Sequence, residues 1–257
     1  MLSIILAIPV SIALLVWINR LKKDDPFPKG TMLTLLVAGV IAGILSSITT
    51  IAGALISFVA QYGIEPITQM FTDSANAAKH AEEFLELVKS GTYSPVASFI
   101  KTFILVGFVE EIFKYMCTKA VIKKKGIART WMDVLLCFAI TAIGFQLSED
   151  IQYSSGSVMT AIFRALTPYH FTFATIMGYY YGLAKTTGKK FYMFLALFIP
   201  SLLHTLFDFS ISSMQYVEVF LLLFFAMTIL LCALTVVMIV KINKWHKNKT
   251  LDIEIEE

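Results

Sequence analysis

Four short patterns place chemically active side chains inside stretches that are otherwise apolar: Glu110-Glu111-x-x-Lys114, Glu149-Asp150, Arg164 with His170, and His204-x-x-x-Asp208. A carboxylate in a low-dielectric site can act as a general base on water. A histidine pair with carboxylates can hold a divalent metal such as zinc and leave a position open for a water nucleophile. A histidine or lysine can stabilise a developing oxyanion. Hydrolysis of a peptide bond within a membrane uses all of these, and ion or proton transport uses similar residues in chains.

Spacing indicates which groups share a face. Glu110 and Lys114 are four apart and can pair along one helix side. Glu111 lies about 100° round the same helix. His204 and Asp208 repeat the four-residue step, as do Glu149 and Tyr153. Each acid or base at a bilayer centre costs about 2.5–3.5 kcal/mol. Seven of them, isolated and central, would cost on the order of 20 kcal/mol, more than a typical net stability of about 5–15 kcal/mol. These residues must therefore cluster, pair or line a wet cavity.

The elements that must position them are apolar helices. The chain has 257 residues, 57% hydrophobic and only 15% charged, with a mean hydropathy of +0.75. A soluble domain carries about 25% charged residues, so a soluble enzyme, a disordered chain and a nucleic-acid binder are excluded. Seven stretches are long enough to cross a bilayer, near 2–19, 31–61, 98–121, 131–153, 157–184, 191–212 and 217–242. The second is longer than one crossing needs, and its Gly39-x-x-x-Gly43 step suits close helix packing. The first lacks a basic leader and a small-residue cleavage site, so it reads as a retained anchor. Glu110, His170 and His204 fall near the middle of their segments, and Glu149 nearer an end.

Of the 21 Lys and Arg residues, 16 lie on alternate loops. Lys79, Lys89 and Lys101 lie on the opposite side, and Lys114 and Arg164 within the spans. The positive-inside rule then places the N-terminus outside and the C-terminus in the cytoplasm of a bundle of about seven transmembrane helices. This is an all-α, polytopic architecture. It divides into helices one and two (1–61), an extracytoplasmic loop (62–97), a core of helices three to six (98–212), and helix seven with a cytoplasmic tail (213–257). Within the loop, Ala81, Phe84, Leu85 and Val88 mark one apolar helix face, ended by Gly91. It reads as a helix lying on the membrane or capping the bundle, or as a lid. The acidic tail Asp252 to Glu257 reads as a solvated end. Cys117, Cys137 and Cys232 lie in apolar runs without metal-ligand spacing and read as small buried hydrophobes. No phosphate-binding or dinucleotide glycine pattern is present in the sequence.

The patterned residues also carry a resemblance. Glu110-Glu111-Ile-Phe-Lys114, Gly144-Phe145 with Glu149-Asp150-Ile-Gln-Tyr153, Arg164 with Pro168-Tyr-His170 and Gly178, and His204-Thr-Leu-Phe-Asp208 resemble the PrsW family of intramembrane proteases. More distantly they are similar to the CAAX-prenyl endopeptidase and bacteriocin-processing clan. The match covers roughly residues 103–210, four motifs in order and each on its own helix. Asp150 and Asp208 stand where the family commonly has Asn. Both changes add potential negative charge and question any role needing an amide donor there.

The resemblance implies cleavage of membrane-anchored protein substrates within or near the bilayer, of the anti-sigma-factor kind, in a bacterial or archaeal cell membrane. It implies that Glu110 or Glu111 is the general base, with Lys114 fixing or neutralising the other. His170, His204 and Glu149 would be metal ligands or water-holding groups, and Asp208 would orient His204 or bind metal. Asp150, Tyr153 and Arg164 would support them. The family is labelled metalloprotease, whereas the related clan is described as glutamate-based. The missing His-Glu-x-x-His helix excludes the commonest zinc-protease signature, so metal-bound and metal-free routes both stay open. Two other classes share the span count. A cation-coupled transporter is disfavoured by the lack of an inverted repeat. A heptahelical receptor would not need so many acids and histidines together.

Overall fold

A computed structural model of the chain describes residues 2–90, 93–153 and 167–255. The described residues are predominantly helical, with no strand among them. The helices are α1 (Leu2–Leu21), α2 (Thr31–Tyr62), α3 (Glu65–Thr72), α4 (Ala77–Ser90), α5 (Pro95–Thr102), α6 (Phe108–Lys125), α7 (Trp131–Gln152), α8 (Tyr169–Thr187), α9 (Lys190–Ser213) and α10 (Val219–Lys247). Among the described residues, α2, α7, α9 and α10 are long and apolar enough to cross a membrane. At 32 residues, α2 is about 48 Å long, well beyond a hydrocarbon core of about 30 Å.

Two of the expected segments have a different internal form. The third is α5 and α6 joined through a π-helical turn at Phe103–Gly107. The fifth is not one helix from 157 to 184, because Thr167 and Pro168 are non-helical and α8 starts at Tyr169. Proline lacks an N–H and pushes the preceding residue out of the helical region, so it suits a helix start. His170 consequently occupies the first turn of α8 rather than mid-segment. The outer segment is α3, a 3₁₀ turn at Ser74–Asn76, and α4. The side chains of Phe84, Leu85 and Val88, and Gly91 itself, lie outside the described residues.

The core is organised around α7, which is buried almost along its whole length. Glycines let its neighbours approach. A Cβ at Gly39 would overlap the Thr141 carbonyl, and one at Gly43 the Ser148 hydroxyl, so the expected close packing of α2 is on α7. On the other side, a Cβ at Gly178 of α8 would press on the Leu135 backbone, and one at Gly182 would overlap the Trp131 ring. Cys137 on α7 is buried, but Cys117 and Cys232 are only partly so; wide cores do not form around α6 and α10, which keep exposed apolar faces.

The tail keeps Asp252, Ile253 and Glu254 exposed, but its backbone is docked on the start of α7. Met132 N–H donates to the Leu251 carbonyl and Trp131 N–H to the Ile253 carbonyl, both at 3.0 Å, and Ile255 N–H donates to Arg129 at 3.1 Å. Leu251 is buried. The first N–H groups of a helix have no partner within it, and the tail supplies two of them for α7. Thr130 and Asp133 add a capping box. Lys22 donates to Asp133 at 2.8 Å and to Asp25 at 2.7 Å. Burial works to discharge Lys22, but these hydrogen bonds outweigh it and push its pKa up. The alternation Leu251, Ile253, Ile255 between acids is the signal that an extended, docked segment leaves in the sequence. Ending the chain at Lys249 removes two caps and the burial of Leu251. It is expected to cost roughly 2–4 kcal/mol, read as an earlier unfolding midpoint in a denaturant titration in detergent.

Candidate active site

The π-helical turn sets up the first carboxylates. It ends at Gly107, where a Cβ would overlap the Thr205 hydroxyl and press on the Ser201 carbonyl of α9. The contact brings α6 against α9 one turn before Glu110 and Glu111. These two, with Lys114, are buried on the first turns of α6.

Lys114 does not pair with Glu110 as the four-residue spacing suggested. Its ammonium donates to Glu111 Oε1 at 2.6 Å and to His170 Nδ1 at 2.9 Å. It also lies over the Phe145 ring, 4.1 Å from the centroid, which explains the Gly144-Phe145 pair. A Cβ at Gly144 would overlap Leu36 of α2, and the adjacent Phe145 ring packs beside His170 at 4.9 Å. The three-residue step wins because Glu111, at adjacent angle to Glu110, faces α8 and α9.

Glu111 Oε1 also faces His204 Nδ1 at 3.0 Å. One carboxylate oxygen therefore ties a lysine from its own helix to a histidine from α9. The other nitrogen of His204, Nε2, lies 3.2 Å from Asp208 Oδ2 and 3.6 Å from Glu110 Oε2. On α8, His170 Nε2 meets Glu149 Oε2 at 2.6 Å. The two imidazoles pack edge to face at 5.1 Å, and Phe173 stacks on His204 at 5.0 Å. Phe173 carries no sequence signal that sets it apart from an ordinary core aromatic.

Six of the seven expected core residues thus form one buried network from four helices, and Asp208 closes it at its edge, with 29% of its side chain exposed. Of the supporting residues, Asp150 is fully buried beside Gln146, whose amide donates to it at 3.1 Å. Tyr153 caps the end of α7 with its side chain about half exposed, so the four-residue step from Glu149 does not bring its ring into the buried cluster. Arg164 lies outside the described residues.

Residues 31–239 match the family described as PrsW family intramembrane metalloprotease. The chain belongs to the PrsW family. Among similar proteins, protease PrsW of Halalkalibacterium halodurans is 38% identical over 114 residues, covering 42% of this chain and 53% of that protein. Protease PrsW of Oceanobacillus iheyensis is 31% identical over 131 residues, 49% of this chain and 61% of that protein. Protease PrsW of Bacillus subtilis is 32% identical over 124 residues, 46% of this chain and 57% of that protein. The chain thus spans little more than half the length of these PrsW relatives. No solved structure matches it.

Whether the PrsW description as a metalloprotease suits these residues can be judged from the donors. Glu110, His170 and His204 each offer a buried ligand atom, all within 4.8 Å of one another. This differs from the expected ligand set in using Glu110; Glu149 and Asp208 instead each contact one histidine. His204 is arranged as a ligating histidine commonly is, with Nδ1 held by a carboxylate and Nε2 turned towards further carboxylates. His170 would first give up its bond to Glu149. The donor set therefore fits a divalent cation.

Removing the charge of Lys114 leaves Glu111 buried without its ammonium. Lys114→Met is expected to cost about 3–5 kcal/mol, as for one broken partner of a buried pair. Asp208→Asn, at the open edge, should cost under about 1 kcal/mol. Parallel chemical unfolding of both variants checks the contrast.

Proposed function

We propose that this chain is an intramembrane endopeptidase that hydrolyses peptide bonds of membrane-anchored protein substrates, with Glu110 as general base on the attacking water. The observation that carries the reading is the unequal surroundings of two adjacent carboxylates. Glu111 Oε1 is taken up by Lys114 and His204. Glu110 Oε2, among the described residues, is buried, accepts no hydrogen bond and lies 3.6 Å from His204 Nε2. Glu111 Oε2 is likewise unbonded, so the difference lies in the ammonium and imidazole held by Glu111 Oε1 alone. Of the two candidates, Glu110 is the one free to take a proton, and Glu111 acts by holding its neighbours.

The remaining roles follow from donor and acceptor chemistry. Lys114 has only protons to give, so His170 accepts at Nδ1 and carries its proton on Nε2, towards Glu149. On the metal-free route that N–H, turned from Glu149 to the substrate, would steady charge on a carbonyl oxygen. Asp208 orients His204 from the edge. On the alternative, metal-bound route a divalent cation, zinc by donor type, would be held by Glu110, His170 and His204, with Glu110 a ligand in place of a base and the His170–Glu149 bond given up, and would supply Lewis acidity and an activated water. Low polarity around the cluster strengthens each of these interactions.

The same proposal includes the membrane arrangement. Beyond the four apolar helices, α1, the α5–α6 pair and α8 complete seven crossings, and the basic loops support an outside N-terminus and a cytoplasmic C-terminus. The catalytic unit is then residues 98–212, with 1–61, 62–97 and 213–257 around it, in a multi-pass cell-membrane protein. A substrate of the anti-sigma-factor kind, with a single span, suits a cluster whose Asp208 side chain is partly exposed.

Co-expression with a single-span reporter substrate tests the assignment. Glu110→Gln is expected to lower cleavage by at least about 10²-fold, a general base being worth roughly 10²–10⁴. Glu111→Gln should lower it too but also reduce stability. Wild-type cleavage by Glu110→Gln would overturn the reading. Metal content of the purified protein, with a chelator titration, decides between the two routes: chelator-insensitive cleavage by metal-free protein excludes the zinc version.

A further inference from the structure

Threonines in a helix ordinarily bond back to their own helix four residues earlier. Thr34 and Thr49 of α2 do so, donating to Gly30 and Leu45 at 2.9 Å each. Thr50 does not. Its hydroxyl reaches across to α5–α6 and donates to the Leu105 carbonyl at 2.6 Å, in the middle of the π-helical turn. Three residues on, Gly53 leaves room for the Leu105 side chain, which a Cβ there would overlap. On its far side the same turn meets α9, through Gly107 against Ser201 and Thr205.

A π-helical turn holds one residue more than an α-helical one and persists where neighbours compensate it. Collapse of Phe103–Gly107 into α-helix would rotate α5 against α6 by about one residue, roughly 100°. Either Phe99 would then leave its edge-on contact with Phe209, 5.5 Å away, or Glu110 and Glu111 would turn off His204. The carbonyls of a widened turn are the groups a neighbour can hold, and Leu105 is held from α2.

We propose that Thr50 is a positioning residue: by gripping the Leu105 carbonyl it keeps the π-helical turn in place and so fixes the rotation of α6 that presents Glu110 to the site and Glu111 to Lys114 and His204. It touches neither substrate nor the reacting groups. The catalytic part of this inference rests on the proposed peptidase reading; the structural part does not.

Thr50→Val keeps the shape and removes the hydroxyl, and Thr50→Ser restores it. Cleavage of the single-span substrate and hydrogen–deuterium exchange over residues 105–111 are read on both, beside the unfolding midpoint. The expected result for Thr50→Val is a kcat lower by about 10–100-fold, the scale of a misplacement of up to about 1 Å. KM should change less than about 2-fold, and exchange across 105–111 should quicken. Thr50→Ser should return to within about 3-fold of wild type in kcat. A Thr50→Val protein with wild-type kcat, or one whose exchange over 105–111 is unchanged, overturns the proposal. A loss that Thr50→Ser fails to rescue, tracking a lower unfolding midpoint, also overturns it. If wild-type protein cleaves nothing, the peptidase reading has failed, and the exchange comparison alone decides whether Thr50 holds the turn.

Discussion

The buried oxygen Glu111 Oε1, shared between the Lys114 ammonium and the His204 imidazole, is the interaction on which the rest of this structure depends. A carboxylate inside an apolar bundle is tolerable only when paired and hydrogen-bonded. Here the pairing draws in groups from three other helices, because Glu111 also holds His204, and Lys114 goes on to His170 and His170 to Glu149. What neutralises the charge also fixes the side chains around it. Glu110, next in sequence but at a different angle, is left outside this exchange.

The scaffold follows from the need to hold that chain of contacts still. Glycines at 39 and 144 let α2 and α7 touch backbone to backbone, and those at 178 and 182 let α8 press on α7. Little room for sliding remains between the three. The acidic groups at the far end, Asp25 and Asp133, are joined through Lys22, and the tail bonds the first N–H groups beside them, so the long central helix is capped where it starts and charged where it finishes. The π-helical turn is the one irregular piece of the α5–α6 pair. It lies where a regular helix could not satisfy both the outer aromatic contacts and the inner carboxylates.

Much of the site was legible in the sequence, since charge inside an apolar segment has few structural uses. Glu110, Glu111, Lys114, Glu149, His170 and His204 stand out for that reason alone. Pairing was less legible. The four-residue rule favours Glu110 with Lys114, but tertiary partners on α8 and α9 select Glu111. Pro168 was visible, yet apolar residues on both sides disguised the break it makes. The backbone docking of the tail was less legible, because Asp252 and Glu254 are exposed as their charge suggests while the groups it bonds, at residues 129–132, are more than a hundred residues away. Thr50 and Phe173 have no local signal at all: a hydroxyl or a ring in an apolar helix is ordinary until its neighbour is known.

The central claim is that a water activated beside Glu110 hydrolyses a peptide bond at the membrane-embedded cluster. The most direct measurement is mass spectrometry of a single-span substrate after incubation with the purified protein, both reconstituted in liposomes with no other component. The account predicts new termini within or beside the substrate's span, absent when Glu110→Gln replaces the wild type. An intact substrate with wild-type protein, or the same termini with both proteins, would contradict it.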